Sequence, residues 1–118
     1  MNKEAAVLTF AALSQGTRLD AFRLLIEHEP EGLPAGEIAR ALAVPHNTMS
    51  THLAILTRAG LIHAERQSRS IIYRADLAHV RSLATYLLQD CCGGRPEVCM
   101  PLIEDLKVCC APAEKADG

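Results

Sequence analysis

Apolar residues at helical spacing dominate the first half of the chain. The segment from Ala5 to Leu13 is apolar on nearly every side, which favours a helix covered by the core on one face and by a partner on the other. After a turn at residues 14–16, a second helix is predicted from Thr17 to about His28, with Leu19, Phe22, Leu25 and Ile26 on its apolar face. A short third helix is predicted before Pro45, with Ile38 and Leu42 directed inward.

The stretch PHNTMSTHLAILTRAGLI predicts a fourth helix with two unlike faces. Met49, Leu53 and Leu56 recur at i, i+4 and i+7, and Gly60 ends the pattern. Polar or small residues and one arginine lie opposite: Asn47, Ser50, Thr51, Ala54 and Arg58. Asn, Ser and Thr are weaker helix formers than the Glu, Lys and Gln usual on solvent-facing helices. Small hydrogen-bonding side chains beside a cation suit base edges in a DNA major groove, so this face is predicted to contact DNA; a solvent-facing helix is the alternative.

Two β-prone runs follow, Leu61 to Arg66 and Ser70 to Arg74, around a polar turn at residues 67–69. The arginines of this hairpin could follow a phosphate backbone or only make an edge soluble. A last helix is predicted from Leu77 to about Asp90. Its apolar stripe is broad for one small domain to cover, which predicts a dimer contact, with intramolecular core as the alternative: Leu77, Val80, Leu83, Ala84 and Leu87.

Length and charge narrow the class of protein. The 118 residues, 49% of them hydrophobic, suit one globular domain, predicted over 1–90, followed by a cysteine-containing segment over 91–118. No apolar run is long enough to span a membrane and the N-terminus does not resemble a cleaved leader, so a cytoplasmic protein is expected. The net charge is −2, yet residues 40–81 carry six arginines and two carboxylates, a net +4 that leaves −6 elsewhere. Local positive charge on an acidic protein points to a confined contact with an anion.

All five cysteines lie in the last third of the chain, where they indicate reduced thiols rather than a disulfide framework. Adjacent Cα atoms are about 3.8 Å apart, below the roughly 4.4 Å minimum usual for disulfides, so Cys91 and Cys92 make a better chelating pair than a disulfide. Two glycines after them let the chain double back, which brings Cys99 to the same point. Three thiolates without an obvious fourth ligand suit trivalent arsenic or antimony, whereas zinc prefers four donors. Cys109 and Cys110 form a second pair that could assist capture of the ion, complete a second site or have no role, and an accessory role is predicted.

The phrase HLAILTRAGLI followed by RQSRSIIYR resembles the ArsR/SmtB family of bacterial metal-responsive repressors, over about residues 5–88. The resemblance implies a dimeric winged helix-turn-helix protein whose fourth helix enters the major groove and whose hairpin contacts the flanking backbone. Dimer contacts are expected from the first and last helices, with Leu8 on the first. The implied DNA contacts are His46, Asn47, Ser50, Thr51 and His52 on the helix, and Arg66, Arg69 and Arg74 on the hairpin.

The resemblance also bears on the ligand. Some arsenic-sensing members place a vicinal cysteine pair and one further cysteine just beyond the last helix, as Cys91, Cys92 and Cys99 are placed here. The arsenic site known on the third helix is missing, because PAGEIARAL contains no cysteine. The zinc-type site is missing too, since Asp76 and His79 lack the later His and acidic partners. Asp76 is therefore predicted to cap a helix, and His28, His63 and His79 to be surface or interface residues rather than ligands.

The predicted protein is a mainly α-helical homodimer with a β-hairpin wing. It would repress transcription by occupying operator DNA, and arsenite, methylarsenite or antimonite would release it. No organic cofactor, membrane contact or enzymatic activity is expected, because no nucleotide loop or paired base and nucleophile is evident. Two alternatives remain: a thiol redox or persulfide sensor of the same fold, and an arsenic-binding carrier.

Overall fold

A computed structural model describes residues 1–88, 100–101 and 104–105. The chain divides into two units, Met1–Tyr86 and Leu87–Gly118, and nearly all of the described residues belong to the first. The predicted division between residues 90 and 91 lies outside the described residues and stays a prediction.

Apart from β1 (Leu33–Pro34), the helices and strands follow the predicted order. Their bounds are α1 (Lys3–Leu13), α2 (Gly16–Glu27), β1 (Leu33–Pro34), α3 (Ala35–Leu42), α4 (His46–Arg58), β2 (Ile62–Gln67), β3 (Ser70–Ala75) and α5 (Leu77–Leu88). Side chains cap several helix starts: Asn2 Oδ1 accepts from the Ala5 amide at 2.8 Å, and Asp76 Oδ1 accepts from the His79 amide at 3.0 Å. Such caps satisfy amides that have no partner inside the helix. The predicted cap at Asp76 is confirmed.

Helix α1 buries its small side chains and exposes its large ones. Ala6, Thr9 and Ala12 are buried, while Val7 and Phe10 are 58% and 44% exposed. The expectation that α1 is apolar beyond the face its own core covers is confirmed. The outward, apolar face of α1 is therefore available to pack against a second protein surface.

The apolar face predicted for α2 is partly wrong. Phe22 and Leu25 are buried together with Ala21, but Leu19 and Ile26 are 41% and 39% exposed. At about 100° per residue, Leu19 and Ile26 share one edge of the helix, whereas the buried residues centre farther round. The buried face is therefore narrower than the number of apolar residues suggested.

The core lies where α2, α3 and α4 pack together and the sheet joins them. Leu25, Ile38, Met49, Leu53 and Leu56 are fully buried there. Between α3 and α4, Ala43 adopts the left-handed conformation, with φ 56° and ψ 46°. This residue ends α3 and turns the chain so that α4 crosses it, which is the helix-turn-helix arrangement.

The sheet has the antiparallel order β1-β3-β2. Strands β2 and β3 form the predicted hairpin, with Ile62 opposite Ala75 and Gln67 opposite Ser70. Strand β1, which pairs Leu33 with Tyr73 and Pro34 with Ile72, was not predicted because two residues including a proline give no periodic signal. The predicted winged helix-turn-helix fold is confirmed. Among the described residues, no helix has both the length and the apolarity needed to cross a membrane.

Candidate nucleic-acid interface

The two predicted faces of α4 are confirmed. Met49, Leu53 and Leu56 have no exposed surface, whereas the residues of the opposite face are all exposed: Asn47, Ser50, Thr51, Ala54 and Arg58. We call these five residues the reading face. Small side chains would allow the helix backbone to approach base edges closely, and the exposed guanidinium of Arg58 lies at the far end of this face.

The first turn of α4 is open to solvent. It begins after Pro45 with no side-chain cap, and His46 and Asn47 are exposed. Asn47 Oδ1 accepts from the Thr48 amide at 2.9 Å, and the hydroxyl of Thr51 donates to the Asn47 carbonyl at 3.4 Å. The amides of a helix's first turn favour an anion, which DNA phosphates supply.

His52 has a different position from the rest of the predicted recognition residues. It is half-buried and lies on the flank of α4, where its Nδ1 is 3.3 Å from Nη1 of Arg18 on α2. Sequence reasoning missed Arg18, because nothing in its local pattern distinguishes it from any exposed arginine.

The hairpin extends the face of the sheet that packs on the core. The pairs Ile62 with Ala75, Ala64 with Tyr73 and Arg66 with Ile71 share one face, because cross-strand partners point to the same side. Arg66 lies toward the tip of that face, and Arg69 lies in the tip next to Ser68, whose φ is 56°. Both arginines are exposed.

Arg74, the third predicted hairpin cation, lies on the other face in a network of ion pairs. Its guanidinium is 2.8 Å from Glu29 Oε1 and 3.1 Å from Glu65 Oε2, and its side chain is 28% exposed. The hydrogen bond to Glu29 raises the pKa of Arg74. The hydrogen bond that His63 donates to Glu65 at 3.0 Å lowers the pKa of that carboxyl, and Arg74 lowers it further. Two carboxylates already hold this arginine at the base of the hairpin.

The predicted dimer residues fall into two groups. Leu8 on α1 and Ala84 and Leu87 on α5 are exposed, whereas Val80 packs against the core and Leu83 is 8% exposed. An outward apolar surface is therefore present on α1, where Val7 and Phe10, which the prediction did not name, add to Leu8.

The cysteines Cys91, Cys92, Cys99, Cys109 and Cys110 lie outside the described residues, so their predicted roles stay predictions. Among the residues that are described, no three His, Cys, Asp or Glu side chains are grouped closely enough to hold a metal ion. His79 has a hydrogen-bond partner in Thr9, whose Oγ1 is 2.9 Å from its Nε2.

Fold and surface together define a winged helix-turn-helix DNA-binding protein. Residues 13–65 match a helix-turn-helix domain model. The chain is 27% identical over 86 residues to the transcriptional activator HlyU of Vibrio cholerae, a match that covers 73% of this chain and 77% of HlyU.

Solved structures give the same result. An ArsR-like transcriptional regulator from Rhodococcus sp. RHA1 superposes with a TM-score of 0.66 at 26% identity, covering 87% of this chain and 92% of that one. A homodimeric winged helix-turn-helix DNA-binding domain from Mycobacterium bovis gives 0.59 at 26% identity, covering 74% and 81%. A possible transcriptional regulator for arsenical resistance gives 0.53 at 28% identity, covering 65% and 80%. The chain is therefore similar to winged helix-turn-helix transcriptional regulators, among them ArsR-like proteins.

Proposed function

We propose that this regulator is a repressor that trivalent arsenic releases from its operator. The observation that carries the proposal is the sequence after α5: Cys91, Cys92 and Cys99, with two glycines between the pair and the third thiol. A similar solved structure is named as a possible regulator for arsenical resistance, which supports the same ligand class. We place the protein in the cytoplasm, where thiols stay reduced and operator DNA is present.

The proposed binding step is a ligand exchange without oxidation or reduction. Arsenous acid gives up three hydroxyl groups, three thiol sulfurs form bonds to arsenic, and the three thiol protons leave with the hydroxyls as water. Trivalent arsenic takes three soft ligands readily, whereas zinc would need a fourth. Antimonite has the same ligand preference.

Release from DNA follows from linkage. In sequence, Cys91 continues the α5 positions Val80, Ala84 and Leu87 at helical spacing, so an ion held there acts at the end of the proposed dimer helix. A ligand that binds the DNA-incompetent arrangement more tightly shifts the population toward it. Operator affinity then falls by the same factor by which DNA weakens ligand binding.

The proposed DNA contacts are the reading face of α4 with His46, and Arg66 and Arg69 on the hairpin. The proposed dimer surface is the outward side of α1 around Leu8, together with the exposed side of α5. Exposed apolar side chains of this size on a small domain are typical of a protein interface.

Fluorescence anisotropy on the duplex upstream of the protein's own coding sequence tests the proposal. We expect tight binding that arsenite abolishes. Three variants should each bind this duplex with normal affinity, and arsenite should not release them: Cys91→Ser, Cys92→Ser and Cys99→Ser. Persistent release of these variants by arsenite would contradict the assigned ligands.

A thiol redox sensor of the same fold is the second candidate. One similar solved structure is of reduced HlyU from Vibrio cholerae. Vicinal thiols with a third cysteine nearby can also exchange disulfides. Loss of operator affinity on oxidation in arsenic-free buffer, recovery with reductant and no effect of arsenite would favour this candidate over the first.

A further inference from the structure

Arg18 joins three helices through two hydrogen bonds of one guanidinium group. Its Nε donates to the carbonyl of Ala12 on α1 at 2.7 Å, and its Nη1 lies 3.3 Å from Nδ1 of His52 on α4. Its own amide donates to Gln15 Oε1 at 2.9 Å, which fixes the first turn of α2. Ala12 is buried, and Arg18 and His52 are both half-buried.

The contact with His52 fixes the state of the imidazole. Every polar hydrogen of a guanidinium is a donor and none of its nitrogens accepts. His52 Nδ1 must therefore be the acceptor, so the ring in this contact is neutral and carries its proton on Nε2. A planar guanidinium held at Nε by one helix can reach a second helix only in a fixed direction.

His52 is well placed to set the rotation of α4. At about 100° per residue it lies about 140° round the helix from Asn47, beside the buried residues and away from the reading face. A hydrogen bond on this flank holds the helix against rotation about its own axis. Small displacements of a recognition helix change which base edges its short side chains reach.

We infer that Arg18 is a positioning residue for DNA recognition, which fixes the orientation of α4 by anchoring His52 to the end of α1. The inference rests on the proposed DNA-reading role of α4. It predicts that Arg18 contributes to discrimination between DNA sequences without touching DNA. Because α1 carries the proposed dimer surface, the same contact relates the reading face to the dimer.

Three variants test the contact between Arg18 and His52. Arg18→Lys keeps the cation but cannot donate to Ala12 and His52 in the same planar geometry. His52→Asn keeps an acceptor near the position of Nδ1, whereas His52→Leu removes it. Arg23→Lys is the matched control, because Arg23 is exposed on the same helix.

Long-range proton–nitrogen NMR of the DNA-free protein tests the hydrogen bond alone. At a pH where the ring is neutral, wild type and Arg23→Lys should show His52 with an unprotonated Nδ1 and a protonated Nε2. Arg18→Lys should show a mixture of tautomers. A protonated Nδ1 in the wild type, or an unchanged tautomer in Arg18→Lys, would overturn the inference and leave the proposed function standing.

Binding measurements test the positioning role, with a duplex that the wild-type protein selects from a random library and a scrambled duplex of equal length. Arg18→Lys and His52→Leu should each lose about tenfold in affinity for the selected duplex, the size expected for one charge-assisted hydrogen bond. Affinity for the scrambled duplex should stay within about twofold, because the charge that sets non-specific binding is kept. His52→Asn should recover most of the loss, and the double variant should lose no more than either single one. Equal losses on both duplexes, with the fold intact by NMR, would overturn the positioning role.

Discussion

The imidazole of His79 lies directly against Gly60, so that a Cβ on Gly60 would be 2.9 Å from His79 Cε1. The same ring contacts α1: Thr9 gives its hydroxyl hydrogen to the Ala5 carbonyl at 2.9 Å, so its oxygen is left to accept from His79 Nε2 at 2.9 Å. One side chain at the start of α5 therefore contacts Gly60, two residues after the end of α4, and the buried face of α1. His79 Nε2 therefore has its hydrogen-bond partner in Thr9.

The contact with His79 makes Gly60 sensitive to substitution. Gly60 has a φ of 87°, which L side chains rarely adopt, and a methyl group there would also collide with the ring. We expect Gly60→Ala to lower the free energy of unfolding by about 2 kcal/mol or more. Urea denaturation measures this change.

Ala43→Gly is the matched control, because Ala43 has a φ of 56° and already bears the strain that a Cβ causes. This substitution should raise the free energy of unfolding by about 0.5–1 kcal/mol. If both substitutions lowered the free energy of unfolding, the left-handed backbone conformation would not explain the effect of a Cβ at these two positions.

The hairpin arginines should differ in whether they affect stability or DNA affinity. Arg74→Ala leaves Glu29 and Glu65 without their shared cation, so it should lower the melting temperature. Arg66→Ala and Arg69→Ala should leave the melting temperature unchanged and weaken binding to any duplex, with the slope of log affinity against log salt reduced by about 0.9 per lost phosphate contact. The idea fails if Arg74→Ala changes that slope as much as Arg69→Ala does.

Acid should loosen the base of the hairpin. The pKa of Glu65 is held below its usual 4.5 by the hydrogen bond from His63 and by Arg74. Since the folded-state pKa is below the unfolded one, the stabilisation is complete above about pH 4.5 and is lost as the pH falls through the folded value. Thermal unfolding across this range should show the loss, and Glu65→Gln should not. His63→Ala should move the loss to higher pH, and a shift to lower pH would contradict the assigned cause.

The reading face should control sequence discrimination. Ser50→Ala and Thr51→Val should each reduce the ratio of operator to random-duplex affinity about tenfold, because they remove the proposed base-edge contacts while keeping every charge. Arg69→Ala is the contrasting variant, since it should weaken binding to both duplexes alike.

Footprinting should reveal two-fold symmetric half-sites about 34 Å apart. A footprint without two-fold symmetry would argue against binding by a two-fold symmetric dimer.

Truncation after Lys107 should leave the arsenite response largely intact. It removes Cys109 and Cys110 but keeps the three thiols proposed as ligands. The longer loop needed to bring the last pair back costs more closure entropy than the glycine-linked set. X-ray absorption of the full-length arsenite complex should show three sulfur neighbours, and loss of the response on truncation would make the last pair primary ligands.

The sequence predicted the helices and strands in which apolar residues recur at regular spacing over a short stretch of chain. The faces of α4 followed from the spacing of Met49, Leu53 and Leu56, and the hairpin followed from two β-prone runs around a polar turn. The edge residues Leu19 and Ile26 of α2 were misassigned because periodicity gives the direction of an apolar face but not how far the neighbouring elements cover it.

Contacts between residues far apart in the sequence could not be predicted from local spacing. Arg18 meets His52 and Thr9 meets His79 across separations of 34 and 70 residues. The local sequence around Arg74 does not distinguish it from Arg66 and Arg69. The strand register places Arg74 on the face of the hairpin that points away from the core, and there it forms ion pairs with Glu29 and Glu65.

The distribution of side-chain size on α1 has a consequence for how much protein the cell must make. Because this helix buries alanines and a threonine in its own protomer and presents Val7, Leu8 and Phe10 outward, part of its burial comes only with the second copy. Under the proposed dimer, stability rises with protein concentration, and the melting temperature should fall on dilution. Operator occupancy would then depend steeply on copy number, so a modest fall in expression would release the promoter without any inducer.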